Sequence, residues 1–122
     1  MKKKNLYTEA QFYVDGKLFL KEISTIVKNL SRDDKHSFGY DLLKSVRDFI
    51  SNFSLSFKEK DEKIKYDLAI KSRDCIDLID IQLTLIKDIN VITNRQFVNL
   101  YKHLGLLSVQ TYGWCSSLEN KR

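Results

Sequence analysis

The sequence contains few side chains of the kinds that carry out chemistry, and their spacing does not bring them together. Its two histidines, His36 and His103, fall in different segments, and neither has a second histidine or a cysteine four residues away. A metal site in a helix bundle is typically built from glutamates and Glu-x-x-His motifs on facing helices, and no Glu-x-x-His occurs. We therefore predict no metal site and no other cofactor.

The two cysteines do not have the surroundings of a reactive thiol. Cys75 falls on the predicted apolar face of a helix, where it serves as a small hydrophobic residue. Cys115 adjoins Trp114 near a helix C-terminus, which is the wrong end of a helix for lowering a thiol pKa. No CxxC motif and no secretory leader pattern is present, so we expect reduced thiols and a cytoplasmic location.

Three aspartates, Asp74, Asp77 and Asp80, recur every third residue. Paired carboxylates can act as general acid and base, but this spacing is more typical of a solvated stripe along a helix. The sequence has no phosphate-binding glycine loop and no GxSxG motif. We predict a protein that is not an enzyme and has no small-molecule substrate; a bound metal would reopen the enzyme interpretation.

The scarcity of turn-forming residues predicts an all-α chain. No proline and only four glycines occur among 122 residues, so few turns are expected. Four segments, near residues 8–30, 38–57, 61–89 and 97–118, have apolar residues three or four positions apart, which places them on one helix face. Short connectors between them predict an antiparallel up-down-up-down four-helix bundle, a single domain over 1–122.

Each predicted helix has its own set of core residues. The first stripe comprises Ala10, Val14, Leu20, Ile23, Val27 and Leu30, and the second Phe38, Leu42, Val46, Phe49, Ile50, Phe53 and Phe57. The third comprises Ile64, Leu68, Cys75, Leu78, Ile79, Leu85, Ile86 and Ile89, and the fourth Phe97, Leu100, Leu104, Leu107, Thr111, Trp114 and Leu118. Ser31 with Asp34, and the capping box of Thr93 with Gln96, predict helix starts.

The third and fourth helices carry apolar residues beyond these stripes. The surplus residues are Ile76, Ile81 and Leu83 on the third helix and Leu106 and Val109 on the fourth. Exposed apolar surface of this breadth usually marks an interface, so we predict a homo-oligomer with closed symmetry that contacts through these residues. The alternative is that deeper packing within one chain covers them.

The charge is distributed unevenly along the chain. Of the net charge of +5, five positive residues lie at the two ends: Lys2, Lys3, Lys4, Lys121 and Arg122. The remaining body has 16 basic and 16 acidic residues, so we predict a neutral body with basic tails at 1–5 and 119–122. Such tails either touch phosphate or only keep the chain in solution. No apolar run is long enough for a membrane span.

Several basic residues could bind phosphate if an assembly brought copies together. The candidates are Lys17, Lys21, Lys28, Lys44, Arg47, Arg95 and Lys102. Singly they are ordinary helix-surface cations, and no aromatic residues alternate with them for base stacking. Two interpretations stay open at this point: an electrostatic contact with phosphate, or ordinary solvated cations on helix surfaces.

The segment from Ser31 to Trp114 resembles a known family. The pattern consists of Ser31-Arg-Asp-Asp-Lys-His-Ser-Phe-Gly39, Leu85-Ile-Lys-Asp-Ile89, Ile92-Thr93, Gln96-Phe97, Leu100, Leu104, Leu107 and Gly113-Trp114. It is similar to the four-helix-bundle proteins that include the accessory variability determinant (Avd) of diversity-generating retroelements and the related 23S rRNA intervening-sequence proteins. The resemblance implies a pentameric barrel that binds RNA or cDNA and assists a reverse transcriptase.

The same resemblance leaves a second function open. Asp41, Asp80, Thr84 and Val109 stand where members of that family often carry arginine, and Ser108 and Tyr112 replace small residues before the terminal Gly-Trp. The alternative expectation is a structural or protein-interaction bundle of the intervening-sequence type, with no nucleic-acid binding of its own.

Overall fold

Four long helices and one short helix make up the computed structural model, which describes the backbone of residues 2–120 and the side chains of residues 8–120. The elements are α1 (Lys2–Lys28), α2 (Arg32–Asp34), a π-helical turn (Lys35–Gly39), α3 (Tyr40–Lys58), α4 (Glu62–Asp88) and α5 (Asn94–Asn120). Over the described residues there is no strand, which confirms the all-α prediction. None of the helices is both long enough and apolar enough to cross a membrane over this range.

The four long helices pack around one apolar core. Helix α1 packs against α3 and α5, and α4 packs against the same two helices. Helices α1 and α4 therefore stand at opposite corners of a four-helix bundle. Among the described side chains, twenty buried apolar residues from all four helices and the α4–α5 connector form the core.

The helix starts follow from local hydrogen bonds that the sequence predicted. The Ser31 Oγ accepts from the amide of Asp34 at 3.1 Å. The capping box is reciprocal, because the Gln96 amide donates to Thr93 Oγ1 at 3.0 Å and the Thr93 amide donates to Gln96 Oε1 at 2.9 Å. Helix α4 ends before Asn90, whose φ of 64° is a conformation that asparagine tolerates better than most residues.

Part of each predicted basic tail has a helical backbone. The backbone is helical from Lys2 and remains helical to Asn120, so residues 2–5 and 119–120 belong to α1 and α5 rather than to extended ends. Met1, Lys121 and Arg122 lie outside the described residues.

The core stripes of α3 and α5 are close to the prediction, and that of α1 differs. In α5 the buried residues include Leu100, Leu104, Leu107, Thr111, Trp114 and Leu118, as predicted. In α1 the chain buries Phe12 and Phe19 with Ile23 and Val27, and leaves Val14 exposed. A buried phenylalanine removes more apolar area from water than alanine or valine. Phe12 also stacks on Phe53, with ring centroids 3.8 Å apart.

In α4, two residues that were predicted to form the interface belong to the core instead. Ile76 and Leu83 are buried inside the bundle, so they cannot contact a neighbouring copy. They belong to two rows with a seven-residue spacing, Ala69, Ile76 and Leu83 in one row and Ser72, Ile79 and Ile86 in the other. Such rows form the seam between packed helices. Leu78, Leu85 and Ile89, which the sequence placed in the core, are exposed instead.

Candidate functional site

The side of the bundle formed by the exposed faces of α1 and α3 carries five of the predicted phosphate-binding residues, of which Lys21 also borders α5 and Lys44 lies near Cys75 of α4. We call it the basic side and define it by Lys17, Lys21, Lys28, Lys44 and Arg47, all of which are exposed. Because Phe19, Ile23 and Val27 point into the core, the spacing of four and seven residues places the three α1 lysines on the outer face of that helix.

Most of these cations have no anionic partner in the chain. Among the described residues, Lys44 pairs with Asp48 at 2.8 Å, whereas Lys17, Lys21, Lys28 and Arg47 have no carboxylate within 4.0 Å. The ammonium of Lys17 lies 6.0 Å from the ring centroid of Tyr13, an exposed cation–π contact. The basic side therefore presents free positive charge to a ligand.

Two of the three acidic residues of α1, Asp15 and Glu22, face α5 and not α3. The Gln110 side-chain amide donates to Asp15 Oδ2 at 2.6 Å, and the imidazole Nδ1 of His103 donates to Glu22 Oε1. Both bonds join α1 to α5, and both carboxylates lie between these helices. Among the described residues, neither of these two carboxylates forms an ion pair with a lysine of α1.

The remaining two predicted cations lie elsewhere. Arg95 and Lys102 are exposed on α5, seven residues apart, and the basic side does not include that helix. Their immediate surroundings on the outer face of α5 are apolar, because Val98 and Leu106 stand one turn from Lys102 and both are exposed. The structure therefore brings five of the seven predicted residues to one side and separates two.

A second surface lies between α4 and α5. We call it the α4–α5 face and define it by Asp77, Asp80, Ile81 and Leu85 of α4 and by Tyr101, Gly105, Val109 and Tyr112 of α5. Part of it is a cleft of about 190 Å³ lined by Asp77, Asp80, Tyr101 and Gly105, among others. Ile81 is 58% and Val109 73% exposed, so these two predicted interface residues do lie on the surface, as does Leu106 at 49%.

The Tyr112 hydroxyl holds one of the two carboxylates of this face. The Tyr112 hydroxyl donates to Asp77 Oδ1 at 2.8 Å and is 3.0 Å from Oδ2, and the hydrogen bond to Asp77 raises the pKa of Tyr112. A hydrogen bond to Asp80 likewise raises the pKa of Tyr101. Within the described chain neither aspartate has a cation within 4.0 Å. The Asp77 carboxylate is therefore held by Tyr112, and neither aspartate has an ion-pair partner among the described residues.

The cysteines and the other ligand-type side chains form no reactive centre in the part of the chain that the structure describes. Burial raises the pKa of both Cys75 and Cys115, and the Cys115 thiol donates to the carbonyl oxygen of Ala69 at 3.3 Å. No three histidine, cysteine, aspartate or glutamate residues of residues 8–120 are grouped as metal ligands would be.

Sequence reasoning did not anticipate a groove between α1 and α5. Its volume is about 510 Å³, and Leu18, Glu22, Ile26, Asn99 and His103 are among its lining residues. The groove lies beside the His103–Glu22 contact. That contact joins residues far apart in the chain, so helical periodicity gives no signal for it.

Comparison with known protein families finds no family that matches this chain. A search of curated proteins likewise finds no match. The two charged surfaces are therefore the starting point for function.

Proposed function

We propose that this chain is a non-enzymatic, cytoplasmic scaffold that forms a homo-oligomer, a pentamer by its resemblance to Avd, and binds nucleic acid. Its partners on this proposal are RNA or cDNA and a reverse transcriptase, in retroelement-driven diversification. The observation that carries the nucleic-acid part is the basic side, where Lys17, Lys21, Lys28 and Arg47 are exposed and have no carboxylate within 4.0 Å among the described residues.

We infer further that the four long helices run up-down-up-down. Phe12 contacts Phe53, whereas Val27, later in α1, lies beside Gly39 at the start of α3. Asp15 meets Gln110, whereas Glu22, later in α1, meets His103, earlier in α5. Opposite sequence order at both interfaces supports antiparallel neighbours, in agreement with the short connectors.

The exposed apolar residues of α4 and α5 support self-association. Ile81, Leu106 and Val109 are half to three-quarters exposed, and Leu78 and Leu85 add to the apolar surface of α4. Apolar patches that the chain leaves uncovered usually mark contact sites. An oligomer would repeat the basic side around its axis, so that weak phosphate contacts on each copy act together on one strand.

Salt-dependent binding tests the nucleic-acid part. Fluorescence anisotropy with single-stranded RNA would compare the wild type with Lys28→Ala/Arg47→Ala at about 50 and 200 mM salt. If both residues neutralise a phosphate, the slope of log affinity against log salt falls by about 1.4, which is about 0.7 for each cation removed from a single strand. The matched control is Lys60→Ala/Lys71→Ala, which removes two exposed cations outside the basic side.

The alternative function, a protein-interaction bundle without nucleic-acid binding, is favoured by the α4–α5 face, which is acidic and apolar. This alternative function predicts no salt-dependent RNA binding in the anisotropy measurement. If the wild type binds no RNA even at the lower salt concentration, the nucleic-acid proposal fails and the interaction bundle is the better description.

A further inference from the structure

The basic side and the α4–α5 face carry opposite charges at different corners of one molecule. On α1, Lys17 and Lys21 are accompanied by two exposed apolar residues, Val14 at 52% and Leu18 at 53%. On the α4–α5 face, Asp77 and Asp80 are accompanied by Ile81 and Val109. Each surface therefore combines a pair of like charges with apolar area, and the signs of the two pairs are opposite.

The spacing of the two pairs also matches. Lys17 and Lys21 are four residues apart and so stand one helical turn from each other on the outer face of α1. Asp77 and Asp80 are three residues apart, which is close to one turn on α4. Tyr112 fixes Asp77 through its hydroxyl. Because the Asp77 carboxylate is held in place, less freedom is lost at this residue when a facing ammonium group meets it.

The electrostatics favour a cationic occupant for this face. Covering Asp77 and Asp80 with an apolar surface would take two charges out of water without compensation, which is strongly unfavourable. Nucleic acid is excluded by repulsion between its phosphates and the carboxylates. Arg73 lies 5.6 Å from the Tyr112 ring centroid but forms no ion pair with either aspartate. A partner that supplies cations and apolar side chains together fits both features.

The surface of α5 beside the cleft is open at Gly105. It lies in the middle of α5, and a Cβ built on it would meet nothing within 4 Å. Glycine in a helix interior costs about 1 kcal/mol relative to alanine, and packing within this chain gives no reason for that cost. Gly105 also lines the cleft that holds Asp77 and Asp80.

We propose that the α4–α5 face of one copy docks on the outer face of α1 of a second copy, with Lys17 and Lys21 opposite Asp77 and Asp80. This inference rests on the proposed self-association and names the surfaces that make it. Because the two surfaces differ, the contact is head-to-tail, which generates a ring or a filament rather than a two-fold dimer. Lys28 and Arg47, which have no ion-pair partner among the described residues, then remain available for phosphate, whereas Lys44 is paired with Asp48.

Charge exchange tests the pairing. One variant, Lys17→Glu/Lys21→Glu, makes both surfaces acidic, and a second, Asp77→Lys/Asp80→Lys, makes both basic. Each alone is expected to self-associate about tenfold or more weakly than the wild type, because like charges then face each other. An equimolar mixture and the variant with all four changes are both expected to associate. The matched control, Lys60→Glu/Lys71→Glu, is expected to behave as the wild type.

Sedimentation velocity at low salt, with circular dichroism to verify folding, separates the outcomes. A wild type that remains a 14.4 kDa monomer overturns the self-association proposal together with this pairing. A wild-type oligomer that either charge variant leaves intact overturns the pairing alone. An equimolar mixture of the two folded charge variants that stays monomeric also overturns the pairing alone. Salt-sensitive RNA binding retained by a monomeric wild type would leave the nucleic-acid part of the proposed function standing.

Discussion

At the residue scale, the fold gives a defined hydrogen-bond partner, Tyr112, to Asp77, which the sequence pattern predicts to be solvated. The sequence predicted a solvated stripe of aspartates. In the fold, α5 brings the Tyr112 hydroxyl to within 2.8 Å of Asp77 Oδ1. The two residues are 35 positions apart in sequence, and their contact depends on the rotation of α5 relative to α4. Helical periodicity alone does not determine that rotation.

The hydrogen bond to Asp77 makes a prediction about titration. Since it raises the pKa of Tyr112 above the ordinary value of about 10, the folded chain keeps this proton to higher pH than the unfolded chain. The stabilising contribution is complete below the ordinary pKa and is lost as the pH rises through the folded pKa. We expect Asp77→Asn to lower the Tyr112 pKa, measured by phenolate absorbance or by the chemical shifts of the ring.

The control for this titration is Asp67→Asn, which removes a carboxylate whose partner is Lys63. It is expected to leave the phenolate transition unchanged. A Tyr112 pKa that is the same in wild type and Asp77→Asn would show that the hydroxyl and carboxylate do not interact in solution.

At the element scale, local signals in the sequence predicted more than periodicity did. The starts of α2 and α5 were predicted from Ser31 with Asp34 and from Thr93 with Gln96, because capping depends only on neighbouring residues. The core rows of α4 were misassigned at Ile76 and Leu83. Those rows include Ala69 and Ser72, whose small side chains do not register as apolar residues in a search for large ones. Such rows become recognisable only when the facing helices are known.

Gly39 provides a test of the contact between α1 and α3. Its φ of −65° is helical, so the need for glycine is steric: an added Cβ would stand 2.8 Å from Val27 Cγ1. We expect Gly39→Ala to destabilise the fold by about 1–3 kcal/mol, the range typical of overpacking. The measurement is chemical denaturation followed by circular dichroism.

Gly113 supplies the matched control for that substitution. It also lies in a helix, but a Cβ there meets nothing within 4 Å. Gly113→Ala is expected to stabilise the chain by up to about 1 kcal/mol through helix propensity. Equal effects of the two substitutions would mean that α1 does not pack closely against the start of α3.

At the scale of the whole molecule, the side on which each charged residue of α1 lies could not be predicted from the sequence. Counting gives a nearly neutral body, because the acidic residues of α1 and the lysines of α1 enter the same sum. The fold turns Asp15 and Glu22 toward α5 and leaves Lys17, Lys21 and Lys28 on the outer face. The sequence contained the correct candidates, but only the packing decides which of them share a side.

If the oligomer is a pentamer with head-to-tail contacts, its odd number of subunits limits which mixed assemblies can form. In an equimolar mixture of Lys17→Glu/Lys21→Glu with Asp77→Lys/Asp80→Lys, attraction occurs only between unlike variants, so they must alternate around a ring. A ring with an odd number of subunits cannot alternate throughout, because one contact would join two like variants. We therefore expect native mass spectrometry to show even-numbered assemblies or open chains for the mixture, and pentamers for the wild type and for the variant with all four changes. A pentamer in the mixture would contradict the contact even if the wild type is pentameric, because such a ring must tolerate a pair of facing like charges.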